Sequence, residues 1–141
     1  MINPETVSEA FIKWMEDNGY GTFDVDIFLN QIPDVDENDE PINNAYWIIT
    51  SGGDVTQKNI TAESVQQFTV DVFYRNKSGR LVEKTLFELS RKVNSRDCLM
   101  LNGFEMHDIE ASLPEDNDRD AENRRQGSFS VDMQIYVSYV S

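Results

Sequence analysis

The chain has 141 residues, 39% of them hydrophobic, with 8 Phe, 5 Tyr and 2 Trp, which fits one folded domain and excludes a disordered acidic chain. Its formal net charge of -14 argues against general binding of nucleic acid or of an anionic membrane surface, both of which need a positive footprint. Cys98 is the only cysteine, so no intrachain disulfide can form, and no apolar run approaches the roughly 20 residues of a membrane span.

Asn3-Pro4 suits a helix start, with Asn as cap and Pro at the first helical position. Val7, Ala10, Phe11, Trp14 and Met15 follow at helical spacing, and Asn18-Gly19 is a stop signal. This start reads as a capped helix rather than a secretory leader, so the expected compartment is the cytoplasm. Ile27 and Leu29 suggest a short strand closed by Pro33. Residues 34–44 read as a polar loop, and Ala45–Thr50 as a second strand carrying Tyr46, Trp47, Ile48 and Ile49. Ser51-Gly52-Gly53-Asp54 is expected to break it, leaving residues 55–64 as a long loop.

Phe68, Val70, Val72 and Tyr74 alternate with polar neighbours, which predicts a strand over 65–74. A turn at 75–79 leads to a second helix over 80–92, with Val82, Leu86, Leu89 and Val93 on one face. Residues 104–113 alternate poorly, with Phe104, Met106 and Asp108 expected opposite Glu105, His107, Ile109 and Ala111. Residues 114–127 read as a long polar insertion. The clearest pattern is the last. Phe129, Val131, Met133, Ile135, Val137 and Tyr139 recur at every second position without Pro or Gly, the mark of a sheet spine roughly 35 Å long. The expected fold is therefore α+β: a mostly antiparallel sheet of about four to five strands with two helices packed on one face, in a single domain over 1–141.

No catalytic or cofactor pattern stands out. Asp34, Asp36 and Asn38 begin like a calcium loop, but Asp39 stands where the turn needs Gly and Ala45 where the shell needs Glu. Asp116, Asp118 and Asp120 fail the same test at Ala121 and Gly127. One Cys and one His, His107, do not make a zinc set. Gly52-Gly53 lacks the Lys-Ser/Thr of a phosphate loop, and Gly19 and Gly21 follow a helix rather than a strand. No residue pattern selects a cofactor, a dedicated metal site or an enzyme activity.

Four segments carry a resemblance: Phe28-Leu29-Asn30-Gln31-Ile32-Pro33, Tyr46-Trp47-Ile48-Ile49-Thr50-Ser51-Gly52-Gly53, Val72-Phe73-Tyr74-Arg75-Asn76-Lys77-Ser78-Gly79 and Glu122-Asn123-Arg124-Arg125-Gln126-Gly127. In this order, after the opening helix, the chain resembles the tail terminator proteins (minor capsid or tail-completion proteins) of long-tailed bacteriophages. The resemblance implies a small α+β subunit of a ring, usually a hexamer, on the head-proximal end of the tail tube. The ring stops tube growth and offers a surface to the head. The implied partners are copies of itself, the tail tube protein and a head-completion or connector protein, with DNA passing through unbound. The implied location is the head–tail junction of the virion, reached by assembly in the host cytoplasm. Under this reading Arg124 and Arg125 are candidates for a subunit contact. Trp47 and the 52–60 loop, with Gly52, Gly53, Lys58 and Ile60, are candidates for a tube or neighbour contact. Asp34, Asp36, Glu37, Asp39 and Glu40 form an acidic loop, either lumenal or simply solvated. The rival readings are another phage structural protein, such as a tube subunit or head–tail adaptor, and a small acidic enzyme.

Overall fold

The computed structural model describes residues 6–33, 35–58, 63–95, 100–101, 104–119 and 124–138. Its elements are α1 (Val7–Asp17), β1 (Ile27–Leu29), β2 (Ala45–Lys58), β3 (Glu63–Asn76), α2 (Gly79–Asn94), β4 (Met100–Leu101), β5 (Phe104–Ala111), β6 (Glu115–Arg119) and β7 (Arg125–Ser138). The strand order is β1-β2-β3-β7-β5-β4, with β6 also paired to β7. The fold is α+β, and among the described residues the sheet has seven strands rather than four or five. Among the described residues, every strand-to-strand pairing is antiparallel except β1 with β2. Residues 30–44 supply the long connection that a parallel pair needs.

The spine expected from the C-terminal alternation is β7, which pairs with β3 from Arg125↔Asn76 to Ser138↔Glu63. Phe129, Val131, Met133 and Ile135 are buried, as are Val70 and Val72 beside them. Both helices close this face. The buried side of α2, built on Val82, Leu86, Leu89 and Val93, shares one core with that of α1. α1 touches β1, β2 and β4, which stand at opposite ends of the strand order, so the sheet curls around it.

α1 begins at Val7, later than Asn3-Pro4 suggested; residues 3 and 4 lie outside the described residues. Thr6 caps it, its hydroxyl accepting from Glu9 N at 3.2 Å while the Glu9 carboxylate accepts from Thr6 N at 3.1 Å. Asn18 ends the helix, and Gly19 follows at φ 82°, a left-handed conformation that glycine adopts without strain. A chain of aromatic contacts (Phe11, Trp14, Tyr20, Tyr46, Tyr74) then ties the helix to the sheet, with centroids 4.5 to 6.3 Å apart. Burial pushes the Tyr46 hydroxyl well above the ordinary tyrosine range, and Tyr74 and Tyr20 add to this. Asn94, at the far end of α2, accepts from Ala111 N at 2.8 Å and donates to Ala111 O at 3.1 Å, which fixes the helix against β5.

Three expectations fail for identifiable reasons. β2 does not stop at Ser51-Gly52-Gly53-Asp54. It continues to Lys58, absorbing the glycines in a register shift between Thr50 and Gly53 and a second one between Val55 and Gln57. β5 alternates poorly because its register shifts between Met106 and Asp108, so Met106, Ile109 and Ala111 are all buried. The polar insertion contains β6, which joins β7 through Glu115↔Ser128 and Asp116↔Gly127. An edge strand held by backbone bonds needs no apolar period.

α2 packs tightly on the sheet at Gly127. A Cβ there would stand 2.6 Å from Leu86 Cδ1, 2.9 Å from Val82 Cγ1 and 3.0 Å from the Glu115 carbonyl. Gly127→Ala is therefore expected to lower stability by about 1–3 kcal/mol in urea unfolding. Gly79→Ala, where a Cβ would meet only the flexible Arg125 side chain at 3.3 Å, is expected to cost less than ~0.5 kcal/mol. Equal costs at the two positions would contradict this packing.

Candidate functional site

The residues nominated by sequence do not form one site. Arg124 and Arg125 are consecutive at the entry to β7, and strand alternation sends them to opposite faces. Arg125 lies on the helix face beside Gly79, with Nη1 donating to the Asp116 carboxylate at 3.3 Å. Arg124 lies on the other face and is only 7% exposed. Its Nη1 donates to the Ile42 carbonyl at 2.8 Å. Arg75 Nη2, from β3, donates to the same oxygen at 2.7 Å and is also buried. Two guanidinium groups thus hold the loop over 30–44 against the sheet. The sequence showed nothing of this function for Arg75, although an isolated Ile42 between Pro41 and Asn43 was a sign that the loop is anchored.

Trp47 belongs to the same anchorage. It is half-buried and stacks on Phe73 at 4.9 Å with the rings 8° from parallel. It also packs on a small cluster of Phe28, Ile42 and Ala45, separate from the main core. Gly52 and Gly53 lie within β2, and Lys58 ends that strand opposite Ser64, so a paired ladder occupies much of the expected 52–60 loop. Ile60 lies outside the described residues.

The acidic loop is ordered by its own carboxylate. Asp36 accepts from Asn38 N at 2.8 Å and from Glu40 N at 3.0 Å, the short-range turn bonding that Asp favours. A bridge between Val35 and Pro41 closes the turn, while Glu37, Asp39 and Glu40 face solvent. Asp34 lies outside the described residues. Among the described residues no three His, Cys, Asp or Glu side chains are placed to hold a metal ion, and no helix is long and apolar enough to cross a membrane.

Among the described residues, open grooves occur in two places. One, of about 620 Å³, lies between the start of α2 and β6, with Val82, Leu86 and Pro114 among its apolar walls and Lys77, Arg80, Glu115 and Asp116 among its charged ones. The other, of about 490 Å³, lies between the acidic loop and the β1 edge, lined by Phe28, Val35 and Ile42 and by Asp24, Asp26 and Glu37. An apolar floor with a charged rim suits a protein partner, whose anchors it can desolvate and whose charges it can select.

No family model and no curated protein matches the chain. The two arginines are expected to separate cleanly in unfolding experiments. Arg124→Met should cost about 1.5–3 kcal/mol, the range for a buried hydrogen bond from a charged group. Arg125→Met should cost less than ~1 kcal/mol, as for an exposed ion pair. Similar small losses at both positions would contradict the role given to Arg124.

Proposed function

We propose that this chain is the subunit of a ring that caps the tail tube of a long-tailed bacteriophage, ends its growth and presents a joining surface to the head. The observation that carries the reading is spatial. The four segments bearing the resemblance are far apart in sequence, yet their described parts converge at one end of the sheet. Ala45 of β2 pairs with Arg75 of β3, which pairs with Gln126 of β7. Phe28 of β1 lies beside Trp47, and Arg124 reaches Ile42 at the same end. These segments therefore behave as one structural unit, whose outer surface includes the acidic groove.

The rest of the chain is compatible with that role. The helices close one sheet face, which leaves the edges, the grooves and the β2–β3 ladder for contact with other proteins. The charge of -14, repeated around a ring, would let DNA pass without adhering. The proposed partners are further copies of the chain, the tube protein and a head-completion protein, and the proposed location is the head–tail junction.

Negative-stain imaging of tubes assembled from the tube protein of the same virus, with and without this chain, tests the reading. Added chain should shorten the tubes and place a ring at their ends. Unchanged tube lengths with bare ends would refute capping, and incorporation along the tube wall would favour a tube subunit instead.

A further inference from the structure

Charge along this chain is strongly divided. Residues 14–57 contain ten carboxylate side chains and no Lys or Arg, whereas residues 77–92 hold five cations against two carboxylates. The fold places described parts of these stretches on separate surfaces. The groove beside the β1 edge carries Asp24, Asp26, Asp36 and Glu37, and among the described residues lining it there is no cation. Val25 and Val35 on its wall are exposed, an apolar element within the acidic rim.

The basic counterpart is the outward side of α2. Val82, Leu86, Leu89 and Val93 turn towards the core. Arg80, Lys84, Phe87 and Arg91, spaced by four, three and four residues, form a stripe on the solvent side. Phe87 is 46% exposed, with the Arg91 guanidinium 5.7 Å from its ring centre, and Leu81 nearby is 47% exposed. The core is filled without these two apolar side chains, so folding does not account for them. α2 packs over β7, β5 and β3, whereas the acidic groove lies at the β1 edge. The elements that flank stripe and groove differ, so the two are separate patches of one copy.

We propose that the Arg80–Lys84–Phe87–Arg91 stripe of one copy docks in the Asp24–Asp26–Glu37 groove of the next. The contact is heterologous, since two different patches meet, and repetition about a closed axis makes a ring. Two copies each bearing -14 repel in most orientations. This orientation sets a stripe of three cations, flanked on the helix by the exposed Glu83 and Glu88, against a groove rimmed by carboxylates, which fixes the register and speeds encounter. Phe87 and Leu81 against Val25, Val35 and Phe28 supply the desolvated centre that charge alone lacks. The inference rests on the ring reading and gives it a specific subunit contact.

A charge swap in the full chain tests it, read by sedimentation velocity at ~0.05 M and ~0.5 M salt, conditions that differ severalfold in screening length. One variant carries R80E, K84E and R91E; the second carries D24K and E37K; the third combines them. Asp26 and Asp36 are left intact because both accept backbone hydrogen bonds within their own turns. Wild type should associate more weakly at high salt. Each reversed variant should associate at least ~10-fold more weakly than wild type. The combined variant should recover, which also excludes misfolding as the cause. If wild type associates only at tube ends, end-bound rings replace sedimentation as the readout, with the same order expected. Association left unchanged by both reversals would overturn the contact and leave capping standing. Association rescued by the swap without capping would keep the contact and remove the proposed function. A chain that forms no ring in solution or on tubes would overturn both.

Discussion

Pairing along both edges of β7 is the constraint on which the rest of the structure depends. β3 occupies one edge over the full length of the strand, while β5 and β6 share the other in succession. A strand bonded on both sides cannot slip by one residue without turning its whole apolar set outward. That fixes Phe129, Val131, Met133 and Ile135 under the helices, and it makes Gly127 the place where α2 can come close. The same alternation divides Arg124 from Arg125. One arginine becomes an internal tie and the other a surface group.

The two sheet faces are finished by different means. The helix face is closed by apolar packing, with an aromatic chain from Phe11 to Tyr74 bridging α1 to the strands. The opposite face is closed only in part, by a loop whose Ile42 carbonyl receives two buried guanidinium groups. Hydrogen bonds from charged donors are strong and directional, so a loop with little apolar content can still be held in one position. The acidic groove exists because this loop is held there. In that sense the internal arginines support the candidate interaction surface without belonging to it.

Much of this was legible in the sequence, and the failures have a common cause. Strands buried on one face (β3 and β7) and helices with one apolar stripe (α1 and α2) announce themselves, because burial imposes a period on side-chain type. β6, with the sequence Glu-Asp-Asn-Asp-Arg, pairs with β7 without an apolar period and leaves no such trace. The register shifts in β2 and β5 break the period where the strand continues, so Gly52-Gly53 looked like an end and Ile109 seemed to face the wrong way. The subunit-contact candidate Arg124 is buried within the fold; its acceptor is a backbone carbonyl 82 residues away, which composition and spacing cannot reveal. The polarity of α2 against the β1 edge was present in the sequence as charge blocks, but only the fold assigns them to separate surfaces.

A two-sided central strand makes a direct physical demand. Its amides should open only with global unfolding, whereas those at the sheet edges open locally. Residue-resolved hydrogen exchange therefore bears on the frame that every other feature assumes. Amides over 129–135 should exchange slowest in the molecule, well behind those of Ile27–Leu29 in β1 and Glu115–Arg119 in β6. Exchange over 129–135 as fast as in those edge strands would contradict the placement of β7 at the centre, and with it the account of both faces.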